Sequence, residues 1–218
     1  MDFGFIWRAA PLFVKGAELT MKLAFWGILM SAALGLICAL IRYWKIPVLQ
    51  RIIGMYIELA RNTPLMIQLF FLYYGLPRLG LLLEGSTCAI VGLTFLGGAY
   101  MAEAYRGGLV AVSRSQIEIG LSIGLRPFQV LRYVVFPQAL AVALPALTAT
   151  SIFLIKETSV FSIVALKDLM YVAKDLLREG HSTESNLLLI VSYLAIILPV
   201  SLIFGYLERK VRFAGFGN

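Results

Sequence analysis

Charged residues are scarce in this chain of 218 residues: they make up 14% of it, whereas 60% of the residues are hydrophobic. A soluble domain carries roughly a quarter charged residues. The composition therefore excludes an ordinary soluble domain and indicates a chain that crosses a membrane several times. The net charge of +7 does not indicate nucleic acid, because no basic cluster is interleaved with aromatic residues. We expect contact with membrane lipid and no nucleic-acid partner.

Cysteine, histidine and catalytic motifs are equally sparse. Cys38 and Cys88 lie in or beside apolar segments, which favours two buried thiols over one disulfide. The single histidine, His181, lies in the polar stretch REGHSTES without a metal-ligand cluster. There is no GxxxxGK[ST] motif and no Ser/His, paired-Asp or HExxH arrangement at one membrane depth. We therefore expect that the chain is not an enzyme and holds no metal or cofactor.

Five apolar runs are long enough to cross a membrane, which takes about 20 residues of helix. The predicted spans are approximately residues 18–41, 48–77, 85–108, 130–160 and 185–208. These runs are too continuous for barrel strands, which alternate. The opening residues MDFGFIWRAAPLFVKG predict a short amphipathic helix at the membrane interface. The expected fold is an all-α polytopic membrane protein, with residues 1–218 in one transmembrane domain.

The distribution of basic residues predicts the orientation in the membrane. The breaks at 42–51, 106–132 and 208–212 carry ten basic residues, whereas the opposite side carries six together with six acids. Because basic loops stay in the cytoplasm, we expect the N-terminus outside and the C-terminus in the cytoplasm. The segment 164–184 is then outside, and its apolar pattern predicts an amphipathic surface helix.

The cytoplasmic stretch SQIEIGLSIGLRPFQVLRYVVFPQAL is punctuated by helix signals. Ser115 and Glu118 have the spacing of a capping box. Gly124 is suited to end that helix, and Pro127 is suited to begin the next one. The pattern predicts a short helix over approximately residues 115–124. From these local signals alone, an ordinary capped loop helix remains an alternative.

Ionisable residues inside the spans are costly and therefore informative. The spacing of Glu103 and Arg106 favours an intrahelical ion pair. Glu58 and Arg61 repeat that spacing, but Arg61 also offers a guanidinium fork for a carboxylate. Glu157 cannot simply pair with its neighbouring lysine, which points about 100° away around the helix. Glu157 could bind an ammonium group, so Arg61 and Glu157 together suit a zwitterionic amino acid.

Several motifs resemble those of permease subunits of ATP-binding-cassette (type I) importers for polar amino acids. Glu118, Gly124 and the final proline of VVFP, Pro137, keep the spacing of that family's cytoplasmic loop motif, although Ile119 and Gly120 stand where the family has alanines. The stretches ELARNTPLMIQLFFLYYGLP, AYMAEAYRGGL and IKETSVFSI are similar to signatures of the second, third and fourth spans. The usual forms contain Arg-Gly-Thr-Pro and Lys-Asp-Thr-Ser. The resemblance covers residues 15–212.

This resemblance implies a role and a set of partners. In that family the loop helix docks on a cytoplasmic ATPase and couples it to alternating access, so the candidate coupling residues are Ser115, Glu118, Gly124 and Arg126. The candidate residues of the substrate path are Arg61, Thr63, Gln68, Thr150, Glu157 and Ser159. The implied partners are a dimer of ATP-binding subunits, which bind ATP and Mg, a second permease and an extracytoplasmic amino-acid-binding protein.

Two questions stay open at the level of sequence. A stand-alone secondary transporter or channel for small polar solutes is the alternative function, with the intramembrane charges as coupling or filter groups. Five spans without an inverted repeat, and a capped cytoplasmic helix, disfavour it. The cargo amino acid, and whether the second permease is identical or homologous, do not follow from the sequence.

Overall fold

The structure is a computed structural model that describes residues 3–216, with side chains for residues 4–211. Residues 1–2 and 217–218 of the predicted domain lie outside the described residues. The described chain contains no strand, and its α-helices are α1 Phe3–Tyr43, α2 Pro47–Arg61, α3 Leu65–Phe70, α4 Gly85–Ala111, α5 Arg114–Ser122, α6 Pro127–Val130, α7 Phe136–Glu157, α8 Leu169–Arg178 and α9 Ser182–Phe216. Wider or tighter helical turns at Phe71–Leu79, Leu131–Val135 and Thr158–Val164 extend α3, α6 and α7.

Among the described residues, four helical stretches are long and apolar enough to cross a membrane: Gly4–Tyr43, Gly85–Ala111, Pro127–Val164 and Ser182–Val211. The stretch Leu65–Leu79 is a shorter apolar helix. The expected all-α polytopic fold is confirmed. The second predicted span differs from expectation, because it is divided between α2 and α3 on either side of Pro64.

The sequence predicted a separate interfacial helix at the N-terminus. In the structure this segment is instead the first part of α1. This helix has 41 residues and is therefore about 60 Å long. The apolar face predicted to lie on lipid, with Phe5 and Phe13, is buried instead against Leu169 and Leu176 of α8. Burial against protein stabilises this segment as a continuation of α1.

Helix α4 lies at the centre of the bundle between α1 and α7. Its glycines allow these close packings: a Cβ on Gly97 would overlap Ser31 of α1 and Leu154 of α7, and one on Gly108 would overlap the Ala139 carbonyl of α7. The main core follows from this arrangement and includes Leu93 of α4. Both cysteines are free and buried, as predicted.

Helix α8 is the predicted amphipathic helix of the 164–184 segment, and it begins at a buried aspartate. Asp168 accepts a hydrogen bond from the Tyr171 N–H at 2.9 Å, which caps the helix. The Leu169 N–H donates to the Thr20 hydroxyl of α1 at 3.3 Å, so this end of α8 is seated on α1. Burial raises the pKa of the Asp168 carboxyl to about 6, against smaller opposing effects of backbone hydrogen bonds and Lys174.

Candidate functional site

The second span breaks at the sequence Arg-Asn-Thr-Pro. Pro64 has no N–H and disfavours helical geometry in the residue before it, so α2 ends at Arg61 and α3 begins at Leu65. The Asn62 N–H still donates to the Glu58 carbonyl at 3.1 Å, and Asn62 Nδ2 adds a second bond to it at 2.8 Å. Thr63 Oγ1 donates to the Leu59 carbonyl at 2.8 Å. These side chains therefore satisfy part of the backbone that the break exposes, which matters in a membrane protein because unsatisfied groups are costly in lipid.

A cavity of about 330 Å³ opens beside this break. Its lining residues come from the break, α4, α7 and the turn after α7, and they are Arg61, Asn62, Thr63, Pro64, Leu65, Met66, Leu96, Tyr100, Phe153, Glu157 and Val160. We call this space the break cavity. It combines a guanidinium, a carboxylate and a hydroxyl with aromatic rings, which is the chemistry of a site for a small polar ligand.

The two charged residues of the break cavity are held differently. The Arg61 guanidinium lies over the Tyr100 ring, with its Cζ 5.2 Å from the ring centroid. The Tyr100 ring in turn contacts Phe153 of α7, at 5.3 Å between centroids. Glu157 is half-buried and, within residues 4–211, has no ion-pair partner. The Arg61 guanidinium is thus supported by aromatic rings, whereas the Glu157 carboxylate is available to a ligand.

The spacing of Glu58 and Arg61 would allow an intrahelical ion pair, but the two side chains do not form one. Glu58 Oε2 instead accepts a hydrogen bond from Asn62 Nδ2 at 3.1 Å, and no ion pair joins it to Arg61 in the described part of the chain. The break explains the difference, because Arg61 is the last residue of α2 and its side chain reaches Tyr100 of α4. Arg61 is therefore free of an intrahelical acid.

Three of the six predicted substrate-path residues, Arg61, Thr63 and Glu157, line the break cavity. Gln68 lines a different, apolar cavity of about 460 Å³ between α2, α3 and α4, and Thr63 lies in the wall of both. Thr150 and Ser159 line neither of these two cavities. Roles for Gln68, Thr150 and Ser159 in contacting cargo stay predictions.

Sequence reasoning named three of the eleven lining residues of the break cavity and missed the other eight, among them Asn62, Tyr100 and Phe153. Asn62 could have been predicted, because it is a polar residue between the two predicted site residues Arg61 and Thr63. Tyr100 lies in the quoted third-span signature, but its contact with Arg61 joins residues far apart in sequence. Such a contact requires the packing of α4 against the break, and no local pattern encodes it.

A separate ion cluster joins α1 to α4. Arg106 donates to Glu103 Oε2 through Nη2 at 2.7 Å and Nε at 2.9 Å, which confirms the predicted intrahelical pair. Arg42 of α1 donates to the other carboxylate oxygen, Oε1. This second guanidinium was missed, because it comes from another helix. With both oxygens occupied, Glu103 is a structural contact between helices.

The loop between α4 and α7 contains the predicted short helix, with shifted bounds. Helix α5 spans Arg114–Ser122 and not 115–124, and its N-cap is Ser113. The predicted capping box of Ser115 with Glu118 is therefore wrong: Ser115 lies inside the first turn, where its Oγ is 3.0 Å from Ser113 Oγ. The serine two residues earlier has the extended backbone that a cap requires.

The end of α5 is built as predicted. Gly124 has φ +89°, a left-handed conformation that favours glycine. Its N–H donates to the Leu121 carbonyl at 3.0 Å, and the Leu125 N–H donates to the Gly120 carbonyl at 3.2 Å, which is the Schellman pattern. Helix α6 then begins with Pro127 after the N-cap Arg126.

Helix α5 presents an apolar surface despite its place in a polar loop. Ile119 is 59% exposed and Ile123, just after the helix, is 73% exposed. Glu118 is also exposed and lies on this helix. The other side of α5 packs on the helix that follows, since a Cβ on Gly120 would lie 3.1 Å from a Val130 methyl group. The loop is thus fixed to the α6–α7 segment and exposed on its outer side.

Comparisons with known proteins agree on one family. The family described as "Binding-protein-dependent transport system inner membrane component" matches residues 31–213. A probable amino-acid ABC transporter permease protein, PatM of Vibrio harveyi, is 40% identical over 172 residues, which are 78% of this chain and 77% of that protein. The glutamine transport system permease protein GlnP of Escherichia coli K12 is 31% identical over 214 residues, which are 97% of this chain and 98% of that protein.

Solved structures extend the similarity to the fold. A crystal structure of an amino acid ABC transporter with histidines superposes with a TM-score of 0.89 at 31% identity, covering 96% of this chain and 99% of that one. An inward-facing structure of the MetNI methionine ABC transporter gives a TM-score of 0.78 at 22% identity, and covers 97% of this chain and 99% of that one. The second comparison concerns the fold alone.

Proposed function

Because the chain belongs to the family of binding-protein-dependent transport system inner membrane components, we propose that it is the permease subunit of an ATP-driven importer of polar amino acids. It forms half of the translocation pathway and works by alternating access. The relatives named as amino-acid and glutamine permeases support this function over a stand-alone secondary transporter or channel. The single observation that carries it is the break cavity, where Arg61 and Glu157 line one space.

The break cavity fits the backbone groups that all amino acids share. Arg61 presents a guanidinium to the cargo carboxylate, and Glu157 presents a carboxylate to the cargo ammonium group. The Thr63 hydroxyl is a third polar contact in the same space. The aromatic wall formed by Tyr100 and Phe153 lies beside the less polar part of the cargo. Selection among amino acids then falls largely to the external binding protein.

The partners follow from the family. A dimer of cytoplasmic ATP-binding subunits binds ATP and Mg and carries out the hydrolysis, since this chain has no phosphate-binding loop. A second permease, identical or homologous, completes the pathway, and an extracytoplasmic protein delivers the amino acid. The chain is a multi-pass protein of the bacterial inner membrane, with its N-terminus outside and its C-terminus in the cytoplasm, as the basic loops favour.

Helix α5 is the coupling helix of this importer. Its exposed residues Ile119 and Ile123 offer the apolar contact, and Glu118 offers the charge, for docking on an ATP-binding subunit. The left-handed turn at Gly124 and the cap at Arg126 join α5 rigidly to the next span. Movement of the ATP-binding subunits is thereby passed to α7, which carries Glu157.

Purification of the tagged chain from its native membrane in a mild detergent tests this function. We expect a nucleotide-binding subunit to co-purify with the wild-type chain. In Glu118→Arg we expect its ATPase activity to be lost, or to be no longer coupled to transport. Glu179→Arg, on the opposite side of the membrane in the proposed orientation, is the matched control and should retain the subunit. Purification of a homo-oligomer without any ATPase, and flux driven by an ion gradient, would instead establish the secondary transporter.

A further inference from the structure

Two backbone carbonyls at the break have lost their helical donors. The carbonyl of Ala60 would accept from the N–H of residue 64 in a continuous helix, but Pro64 has none. The carbonyl of Thr63 would accept from Ile67, whose N–H donates instead to the Pro64 carbonyl at 3.0 Å. Without other donors, both carbonyls would be unsatisfied at membrane depth.

One side chain supplies both missing donors. Gln68 Nε2 donates to the Ala60 carbonyl at 3.2 Å and to the Thr63 carbonyl at 3.0 Å. The orientation of the amide is chemically fixed, because only its NH₂ end can serve two carbonyl acceptors. Its oxygen, Oε1, is buried and has no partner in the described part of the chain. The position of Gln68 is therefore explained by the two carbonyls and not by its own acceptor.

The residues on either side of these bonds are those of the break cavity. Arg61 directly follows Ala60, and Thr63 carries the second carbonyl. We propose that Gln68 is a positioning residue: its amide replaces the N–H that Pro64 lacks, fixes the angle between α2 and α3, and so orients Arg61 and Thr63 toward the cargo. This inference changes the predicted role of Gln68 from cargo contact to support, and its biological meaning rests on the proposed function.

Gln68→Met tests the proposal, because methionine has similar length but no donor. In the full-length chain, purified with the subunits that accompany it, we expect hydrogen exchange of amides 62–68 to become about fivefold to thirtyfold faster, the ratios that correspond to losing one or both of the two Gln68 hydrogen bonds. Modification of Arg61 by phenylglyoxal, read by mass spectrometry, should accelerate in parallel. Exchange within α4 and modification of Arg178 on α8 are the internal controls and should not change.

Pro64→Ala distinguishes positioning from direct contact. Alanine restores an N–H at residue 64 that can donate to the Ala60 carbonyl, so Gln68→Met should have a much smaller effect in the Pro64→Ala background. Equal effects in both backgrounds, or no local change in Gln68→Met, would overturn the proposal. These readouts need neither cargo nor ATPase activity, so they are independent of whether the proposed function is correct.

A second variant keeps the test valid if Pro64→Ala does not fold. A carboxylate at position 68 has no donor, whereas a protonated carboxyl regains one O–H. We therefore expect Gln68→Glu to exchange at 62–68 as fast as Gln68→Met at high pH, after correction for intrinsic exchange, and to slow toward the wild-type rate as the pH falls. Wild-type protection at high pH in Gln68→Glu would also overturn the proposal.

Discussion

Glu103 and Glu157 are both acids within apolar helical stretches, but their surroundings are opposite. Two guanidiniums, those of Arg42 and Arg106, occupy both oxygens of Glu103. Glu157 lines the break cavity with Arg61 and has no ion-pair partner within residues 4–211. An acid that is neutralised by the protein stabilises the fold, whereas an acid that faces a cavity and a separate cation can bind a ligand. The contrast supports a structural role for Glu103 and the proposed cargo contact for Glu157.

A third acid, Asp168, tests whether the lack of an ion-pair contact within residues 4–211 is enough to indicate a functional site, and the largest effect is expected there. Asp168 is buried and its pKa is raised to about 6 by that burial, but its contacts are structural. The folded chain binds its proton more tightly than the unfolded chain, so this acid favours folding at low pH, and that contribution is lost as the pH rises from about 4 through 6.

Asp168→Asn removes this titration and keeps an oxygen that can cap α8. We expect the variant to be more stable than wild type at pH 7.5 by up to about 3 kcal/mol, and the difference to disappear as the pH falls toward 4. Thermal unfolding of the purified complex across this range measures it. Asp168→Ala, which also loses the cap, is the comparison variant. A stability difference that does not depend on pH would show that Asp168 is ionised at no cost.

The second prediction removes the neutralised acid. Glu103→Gln leaves the guanidiniums of Arg42 and Arg106 without a carboxylate, so we expect a loss of stability on the order of 2 kcal/mol. Thermal unfolding in detergent measures the loss. Asp175→Asn is the matched control, because Asp175 and Arg178 are exposed and 4.0 Å apart, and it should change little. Equal effects of the two substitutions would contradict a structural role for the Glu103 cluster.

The sequence predicted what is local and left out what requires two helices to meet. Apolar length predicted three long helices to within four residues at each end, at 85–108, 130–160 and 185–208, but not the N-terminal extension of α1. Gly124 and Pro127 predicted the turn after α5, because each of these signals acts within one turn. The break at Pro64 was missed, because the apolar run continues through it and hydrophobicity outweighed a single proline. Proline inside α7, at Pro145, does not end that helix, so proline alone does not decide the outcome.

The candidate site likewise contains residues that could be predicted one by one and contacts that require two helices to meet. Arg61 and Glu157 were predicted from the cost of charge in a membrane, which is a property of single residues. Arg42 on Glu103 and Tyr100 beneath Arg61 were missed, since both contacts join residues of different helices. The role of Gln68 required the positions of two carbonyls that only the folded break defines.

The third prediction concerns Glu157, the acid that lines the break cavity. In Glu157→Gln we expect amino-acid uptake to fall by about tenfold, because a charge-assisted hydrogen bond to the cargo ammonium group is lost. The unfolding temperature should stay unchanged, in contrast to Glu103→Gln. Membrane vesicles supplied with binding protein and a radiolabelled amino-acid mixture measure uptake. Lys156→Gln is the matched control, since Lys156 is exposed and does not line the break cavity. Normal uptake in Glu157→Gln would contradict a cargo contact.

The smallest effect is expected at the aromatic support of Arg61. Tyr100→Leu keeps an apolar side chain and removes the ring beneath the guanidinium, an interaction of about 0.5–1 kcal/mol. We expect the concentration of loaded binding protein at half-maximal uptake to rise about threefold, with the maximal rate largely kept, because Arg61 remains but is less well oriented.

Tyr133→Leu provides the control for Tyr100→Leu, because it removes a similar contact, that of Arg132 at 5.8 Å from the Tyr133 ring, on an exposed side chain outside the break cavity. Only Tyr100→Leu should alter the half-maximal concentration. If both substitutions shifted it equally, general loosening of the bundle would be the cause. If Tyr100→Leu lowered the maximal rate alone, Tyr100 would act in the movement between outward and inward states and not in holding Arg61 for the cargo carboxylate.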